Sequence, residues 1–340
     1  MSGPKVSVLT PIYNTDVQYL RECIDSVLNQ TFSDFEFIIL DNGSEPYVER
    51  FVKSYNDPRI KFYRVDKNIG ASTGRNLCIS HARGKYLAIL DSDDVAMLGR
   101  LAAGVEFLDA NPDVGVIGTF SRTTDGLEFF SDCLPTENKD ICNHLLFRGN
   151  MFCHSSMMLR ADVLREHGVQ YVPEQFPAED YSLWLSMVGK TQFALLPQIL
   201  TVYRVLQNSA SKQNQAGQWR AAMRAQLMAI ERVCALTIKD KESLCDLYAG
   251  DVCSANDALR ALSALVQDLN QKNLPGNEIY DMFRGQFKHI CYHTHSLGGQ
   301  WRLMMCPVAG YFGLGRGWRV FCFVTRGMFG CKHNVKKDKK

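Results

Sequence analysis

The chain has 340 residues, of which 46% are hydrophobic and 22% are charged. These values are typical of a globular protein and exclude disordered, collagen-like and low-complexity chains. At roughly 150 residues per domain, the length predicts about two structural units. The net charge of +2 is uneven, because residues 301–340 hold nine Lys or Arg against the single Asp338, which leaves 29 basic and 35 acidic residues in the first 300. An acidic body binds nucleic acid poorly, so we expect no nucleic-acid partner.

The cysteine pattern and the absence of long apolar segments indicate the compartment. Twelve cysteines are scattered from Cys23 to Cys331 without a Cys-x-x-Cys pair, which indicates free thiols in a reducing compartment. The N-terminal segment lacks the apolar stretch of a signal peptide, and no window reaches the roughly 18 uncharged apolar residues of a membrane span. We therefore expect a cytoplasmic protein.

Short apolar segments alternate with helical patterns along the N-terminal half. Strands are predicted at 5–9, 35–40, 60–65, 85–90, 114–119 and 152–159, and helices at 20–28, 47–55, 72–81, 97–110 and 179–188. This alternation predicts an α/β fold with a doubly wound, mainly parallel sheet. Helical patterns between about 215 and 284 predict a C-terminal helical annex. We expect a domain at 1–210, the annex at 211–300 and a basic aromatic tail at 301–340.

Polar segments follow three of the predicted strands. They are Pro11–Asn14, Asp41–Ser44 and Asp91–Asp94. Because the carboxyl ends of parallel strands meet at one edge, these segments are predicted to converge on a ligand-binding crevice. The carboxylates of the last segment repel one another, and Mg²⁺ or Mn²⁺ with its preference for oxygen ligands would relieve the repulsion. Alternatively, one of these carboxylates caps the helix predicted at 97–110.

Five segments, in this order and spacing, resemble the family 2 glycosyltransferases of GT-A fold. They are Thr10-Pro11-Ile12-Tyr13-Asn14, Asp41-Asn42-Gly43-Ser44, Asn68 to Asn76, Asp91-Ser92-Asp93-Asp94 and Glu179 to Trp184. The resemblance covers about residues 4–210. It implies an inverting, metal-dependent enzyme of bacterial surface-glycan biosynthesis, which moves a hexosyl or N-acetylhexosaminyl group from a nucleoside-diphosphate sugar, expected to be a UDP-sugar, to a hydroxyl of a glycan or lipid-linked acceptor.

The resemblance also implies roles for single residues on the nucleotide side. The residues expected to bind the nucleotide are Pro11, Tyr13, Asp41, Gly70, Arg75 and Asp91. The second segment usually reads Asp-Asp-Gly-Ser in this family, and here Asn42 stands in the second place. An amide keeps a carbonyl acceptor but loses the charge, which leaves the identity of the base open.

On the metal and acceptor side, the resemblance assigns the Mn²⁺ or Mg²⁺ ligand to Asp93 and the general base to Asp180. Glu179, Trp184 and His154 are expected at the acceptor or the donor sugar. The alternatives are that Glu179 and Asp180 favour a helix N-terminus, and that Trp184 is core. Tyr203 and the Arg204 that follows it resemble the closing loop of the family, without the His that often comes after the Arg.

Two other classes of protein, a zinc site and a membrane-contact site are also compared with the sequence pattern. A catalytically silent GT-A binding or scaffold protein would retain the fold, but intact Asp91, Asp93 and Asp180 argue against it. A sugar nucleotidyltransferase would need a Gly-rich basic loop after the first strand, which is missing. The histidines between 289 and 295 lack a second ligand pair for zinc. Aromatic and basic residues in 301–340 predict peripheral contact with an anionic membrane, the alternative being a core patch with a solvated tail.

Overall fold

The computed structural model describes residues 3–124, 134–206, 214–238, 241–248, 255–275 and 278–279. The chain divides into two compact units, Met1–Val233 and Cys234–Lys340. The first unit is an α/β structure built on one mixed, mainly parallel sheet, as the sequence predicts. The described part of the second unit is helical, whereas the predicted tail at 301–340 lies outside the described residues.

The sheet of the first unit has eight strands within the described residues. They are β1 (Val6–Ile12), β2 (Phe35–Asn42), β3 (Ile60–Val65), β4 (Tyr86–Ile89), β5 (Val95–Ala96), β6 (Val114–Thr123), β7 (Met158–Arg160) and β8 (Gln192–Tyr203). Their spatial order is β3-β2-β1-β4-β7-β6-β8-β5. β1 pairs in parallel with β2 and β4, and β2 with β3, whereas β7 is antiparallel to β4 and β6. The loops after β1, β2 and β4 therefore leave the same edge.

Helices connect and cover the strands. They are α1 (Val17–Leu28), α2 (Pro46–Lys53), α3 (Ala71–His81), α4 (Arg100–Ala110), α5 (Asn138–Phe147), α6 (Ala161–His167), α7 (Glu179–Met187), α8 (Gln215–Cys234), α9 (Lys241–Tyr248) and α10 (Ala255–Gln271). None of the described helices is long and apolar enough to cross a membrane.

The core lies between the parallel strands and the helices. α1 buries Leu20, Cys23, Ile24 and Val27, which recur at helical spacing on one face, and the Asp16 side chain caps its N-terminus by accepting from Gln18 N. β2 is buried along its whole length. A strand covered on both faces is a continuous apolar run rather than an alternating one, and this is the pattern of the sequence at 35–40.

Two local predictions were wrong. Residues 152–159 do not form one strand, because His154–Ser156 make a short 3-10 helix before β7. The Ser156 hydroxyl donates to the Cys153 carbonyl, a local bond that competes with strand pairing. The carboxylates after β4 do not cap the next helix either, since α4 begins after Gly99 without a side-chain cap.

Candidate active site

A cavity of about 670 Å³ lies where the loops after β1, β2 and β4 meet. Five residues predicted to bind a nucleotide line it, namely Pro11, Tyr13, Gly70, Arg75 and Asp91. Asn42 and the 68–73 segment also line it. Pro173 and Phe176, which come from much later in the chain, complete the lining. The predicted convergence of three strand ends on one crevice is therefore present in the fold.

Asp41, the sixth predicted nucleotide residue, is not among the residues that line this cavity. Its side chain is fully buried, and its carboxylate accepts hydrogen bonds from Ser44 N at 2.8 Å and from the Arg64 guanidinium. Arg64 also donates to the Ser44 carbonyl at 2.7 Å. Asp41 therefore fixes the turn that follows β2.

Arg75 on α3 connects two carboxylates of the site. Its Nη1 donates to Glu179 Oε1 at 2.6 Å, and its Nη2 donates to Asp91 Oδ1 at 3.0 Å. The guanidinium also lies 5.6 Å from the centre of the Tyr171 ring. Burial alone would lower the pKa of Arg75, but Asp91, Tyr171 and Glu179 raise it overall. Arg75 thus stays a fixed cation between two carboxylates that come from distant parts of the chain.

Asp91 is held from two further directions. His154 Nδ1 lies 3.2 Å from Asp91 Oδ2, and His154 Nε2 lies 2.8 Å from the Tyr171 hydroxyl. The Asp91 N–H donates to Ser155 Oγ at 3.0 Å. Burial opposes ionisation of Asp91, but the Arg75 charge and the hydrogen bonds with His154 and Arg75 hold its pKa well below the usual range. The Asp91 carboxylate is therefore ionised and fixed in one orientation.

A second cavity, of about 470 Å³, adjoins the first. Both cavities are lined by Arg75, Asp91 and Phe176. The predicted catalytic and sugar-side residues that line the second one are Asp93, His154, Glu179 and Asp180. The predicted residues that line a cavity therefore fall into two adjacent sets, and the Arg75–Asp91 pair forms the wall between them.

Asp93 and Asp94 lie at the acidic end of the second cavity. Burial, followed by the neighbouring Asp91 charge, raises the pKa of Asp93 to about 6. Burial and the charges of Asp93 and Asp91 raise the pKa of Asp94 well above its usual value. Asp91 is paired with Arg75, but its charge still raises the pKa of Asp93 and Asp94, so the carboxylates of this loop repel one another, as the sequence predicts.

Asp180, the predicted general base, stands at the start of α7 and is partly exposed. Its Oδ2 accepts from Asn150 Nδ2 at 3.1 Å, and its Oδ1 accepts from Tyr181 N at 2.7 Å. Each oxygen thus accepts one hydrogen bond and can accept another, and Asp180 lines the second cavity. Trp184, one turn further along α7, is fully buried and lines neither cavity. The centre of its ring lies 6.1 Å from that of the His154 ring, against which it packs.

Comparison with known proteins identifies the family. The model of the family described as glycosyl transferase family 2 matches residues 7–168. An uncharacterized glycosyltransferase of Methanocaldococcus jannaschii, MJ1057, is 32% identical over 211 residues, which cover 60% of this chain and 72% of the relative. The O-antigen biosynthesis glycosyltransferase WbnJ of Escherichia coli is 32% identical over 215 residues, 61% of this chain and 82% of the relative. The chain belongs to glycosyl transferase family 2.

Solved structures of glycosyltransferases share its GT-A fold. Residues 1–349 of S. aureus TarS, crystallised with UDP-GlcNAc, superpose with a TM-score of 0.58 over 94% of this chain and 90% of that one, at 16% identity. The mannosyltransferase PcManGT of Pyrobaculum calidifontis, in complex with GDP-Man and Mn²⁺, gives a TM-score of 0.52 over 96% and 88%, at 15% identity. At these identities the likeness establishes the fold of this glycosyltransferase and not its substrate.

The acidic loop of the glycosyltransferase fits a hydrated divalent cation. In the described residues, no group of three or more His, Cys, Asp or Glu could hold a metal ion by itself. Asp93 nevertheless offers a carboxylate to the second cavity, and among the described residues no other side chain hydrogen-bonds to it. Mg²⁺ and Mn²⁺ accept one or two protein carboxylates when phosphate oxygens and water complete the shell. The donor set therefore suits a cation that arrives with a diphosphate.

Arg204 at the end of β8 is a site residue whose role the sequence did not reveal. Its backbone N–H donates to Asp94 Oδ1 and its Nε donates to the Asp93 carbonyl, both at 2.7 Å, while its guanidinium binds Glu22. Through these contacts Arg204 holds the acidic loop at 91–94 in place. Tyr171 and Phe176 were missed as well, because neither belongs to a recognisable motif; the only sequence signal for Arg204 was its place in the resemblance to a closing loop.

Proposed function

We propose that this glycosyltransferase is a metal-dependent, inverting enzyme that moves a hexosyl or N-acetylhexosaminyl group from a nucleoside-diphosphate sugar to an acceptor hydroxyl. One observation carries the proposal: the two cavities share the Arg75–Asp91 wall, with nucleotide-type loops on one side and Asp93 and Asp180 on the other. A nucleotide in the first cavity would direct its diphosphate toward Asp93 and its sugar toward Asp180.

The donor proposed is a UDP-sugar. The first cavity has the size of a small-molecule site and is lined by backbone-rich loops with a few polar side chains. Gly70 exposes the backbone of one wall, and Arg75 supplies a permanent cation near the place proposed for the diphosphate. The related structures are complexes with UDP-GlcNAc and with GDP-Man, two donors of the same chemical class.

The chemistry proposed is a direct displacement. The acceptor oxygen forms a bond to the anomeric carbon on the face opposite the diphosphate, the bond from that carbon to the diphosphate oxygen breaks, and the acceptor proton passes to the Asp180 carboxylate. Asn150 and the α7 backbone orient this carboxylate. Glu179 is bound to Arg75, so its proposed role on the acceptor side is to position Arg75, and His154 positions Asp91.

Asp93 is the residue proposed to hold the Mn²⁺ or Mg²⁺ ion. A divalent cation there would supply electrostatic stabilisation to the diphosphate as it leaves. Arg204 and the Arg75–Asp91 pair keep the acidic loop in place for that purpose. The relative WbnJ, named for O-antigen biosynthesis, supports a surface glycan, free or lipid-linked, as the acceptor class, made at the cytoplasmic face of a membrane.

A panel of nucleotide sugars, incubated with and without Mn²⁺, tests the proposal. Slow donor hydrolysis, followed as nucleoside-diphosphate release, is expected for one donor class, with UDP-sugars preferred, and only when Mn²⁺ or Mg²⁺ is present. Equal release without metal in chelator-treated protein would contradict the metal dependence. Absence of both binding and release for every donor would favour the alternative of a silent scaffold with a glycosyltransferase fold.

A further inference from the structure

Asn42, the last residue of β2, makes an unusual set of contacts for a residue that lines the first cavity. Its side chain is only 4% exposed. Its Oδ1 accepts from Ile69 N at 2.9 Å, and its Nδ2 lies 3.2 Å from Asn68 Oδ1 and 3.2 Å from the Gly70 carbonyl oxygen. We refer to these three contacts as the Asn42 clasp.

Backbone partners fix the orientation of both amides in the clasp. A backbone N–H only donates and a carbonyl only accepts, so the Asn42 oxygen must face Ile69 and its NH₂ must face Gly70. Asn68 is fixed in the same way, because its Oδ1 accepts from Gly70 N at 2.8 Å. Both hydrogens of Asn42 Nδ2 therefore point to acceptors, and one lone pair of its oxygen remains free.

The turn after β2 and the 67–70 segment are also in close contact. Gly43 has φ +81°, a left-handed conformation that favours glycine. A Cβ at this position would lie 2.6 Å from the Lys67 carbonyl carbon and 2.7 Å from Asn68 N. The backbone of 67–68 therefore passes directly over Gly43. The segment held in this way continues into residues 68–73, which form one wall of the first cavity.

We propose that Asn42 is a positioning residue for the nucleotide, and that it acts through the two hydrogens of its amide. The inference rests on the proposed function, because it assumes that a nucleotide occupies the first cavity. A carboxylate of the same shape cannot make the clasp. One oxygen of an aspartate would still accept from Ile69 N, but the other would face two acceptors, Asn68 Oδ1 and the Gly70 carbonyl, with nothing to donate. The wall at 68–70 would have to move.

Two asparagine-to-aspartate substitutions separate the loss of donors from the added charge. Asn42→Asp removes donors that the clasp uses. Asn29→Asp adds the same charge at an exposed residue after α1 that lines neither cavity, and Asn42→Ala removes the donors without adding charge. Calorimetric titration with UDP and with GDP, each with Mn²⁺, is expected to show affinity at least about tenfold weaker for Asn42→Asp and Asn42→Ala and within about twofold of wild type for Asn29→Asp.

Hydrogen exchange gives a second readout that does not depend on the nucleotide. Asn68→Asp keeps the clasp, since a carboxylate oxygen still accepts from Gly70 N and from Asn42. Amide exchange across residues 67–74 is expected to be faster in Asn42→Asp and unchanged in Asn68→Asp. Circular dichroism confirms that each variant is folded, and should Asn42→Asp not fold, Asn42→Ala removes the same donors without adding charge.

The outcomes distinguish this inference from the proposed function. If wild-type protein binds UDP or GDP but Asn42→Ala retains wild-type affinity, or if the exchange rates of Asn42→Asp match wild type, the role of Asn42 is overturned and the proposed function stands. Failure of wild-type protein to bind either nucleotide would overturn both.

Discussion

Asp93 has the most distinctive environment of the single residues in the cleft. It lines the second cavity, is close to Asp91 and has a raised pKa. We expect Asp93→Ala to abolish the metal-dependent part of nucleoside-diphosphate binding and to leave the fold intact, because the change removes a ligand and no core volume. Calorimetric titration of UDP with and without Mn²⁺ measures this. Asp113→Ala, at an exposed residue before β6, is the control, and unchanged affinity in Asp93→Ala would show that the metal ligand lies elsewhere.

A substitution at Asp180 is expected to affect turnover and donor affinity differently. Asp180→Asn retains the size of the side chain and the acceptor for Tyr181 N, but it loses the basicity of the carboxylate. We expect turnover to fall by roughly two to four orders of magnitude, the usual loss for a general base, with donor affinity nearly unchanged. Steady-state kinetics and donor titration give the two values. Asp162→Asn, at an exposed residue of α6, is the matched control, and weak donor binding by Asp180→Asn would place Asp180 in the donor site instead.

Residues whose partners are near in sequence, or that belong to a motif, were predictable; the others were not. The carboxylates at 91–94 stand within one loop, so their repulsion follows from the sequence alone. The role of Arg204 depends on Asp94, 110 positions away, and that of His154 depends on Tyr171 and Asp91. Such contacts exist only after the sheet has formed. Trp184 was expected at a substrate, but helical spacing places it on the buried face of α7, which a motif does not indicate.

At the scale of the elements, β1, β2 and the segment before β4 are joined through the buried carboxylate of Glu36, whose cationic partner Arg83 is exposed. Glu36 on β2 accepts from the Ser7 hydroxyl at 2.7 Å and from Arg83 Nη2 at 2.6 Å, and Ser7 Oγ accepts from Gly84 N at 2.8 Å. Burial alone would raise the pKa of Glu36, but the hydrogen bonds from Ser7 and Arg83 lower it overall. The charged form of Glu36 is therefore the one that the fold stabilises.

Glu36→Gln is expected to lower the free energy of unfolding by about 2 kcal/mol at pH 7, because a neutral amide cannot accept all of these bonds. The pKa of Glu36 is lower in the folded than in the unfolded state, so its stabilisation is present above the unfolded value of about 4.3 and is lost as the pH falls through the folded value. Urea unfolding at neutral and acidic pH measures the difference. Glu106→Gln, exposed on α4, should be neutral, and a pH-independent deficit in Glu36→Gln would contradict this account.

The elements that the sequence predicted well are those with their own local signal. The strand predicted at 60–65 coincides with β3, and helical spacing located α1 and α7 to within a few residues. β8 was not predicted, because Pro197 interrupts its apolar pattern and its alternation is irregular. It forms by pairing with β6, with three register irregularities, which is a long-range property that local patterns do not encode. α5 and α6 were missed for the lack of a clear apolar stripe.

At the scale of the whole molecule, the net positive charge lies in the tail at 301–340, where nine Lys or Arg stand against one Asp. This segment and its predicted membrane contact lie outside the described residues, so the prediction is argued from charge. Each Lys or Arg near an anionic surface contributes about 1 kcal/mol, and salt screens that attraction beyond about 8 Å at physiological ionic strength. The 340-residue chain should therefore sediment with anionic vesicles, and this binding should weaken as the salt concentration rises. On neutral vesicles we expect only weak binding through the aromatic residues, which salt does not reduce.

A charge-neutralised variant of the 340-residue chain tests the tail without removing any of it. Five lysines near the C-terminus are replaced by glutamine: Lys332, Lys336, Lys337, Lys339 and Lys340. Binding to anionic vesicles is expected to weaken strongly in this variant, with circular dichroism unchanged. Equal sedimentation of variant and wild type on anionic vesicles would exclude these lysines as the membrane anchor.

A crystal structure of the protein with UDP and Mn²⁺ tests the central claim most directly, namely that the two adjacent cavities form one donor site. We predict that the nucleoside occupies the first cavity, between the Pro11–Tyr13 loop and the 68–73 wall, that the diphosphate lies toward the Arg75–Asp91 pair, and that anomalous density for Mn²⁺ appears at Asp93. A nucleotide bound outside the first cavity, or Mn²⁺ bound away from Asp93 with the diphosphate in place, would contradict it.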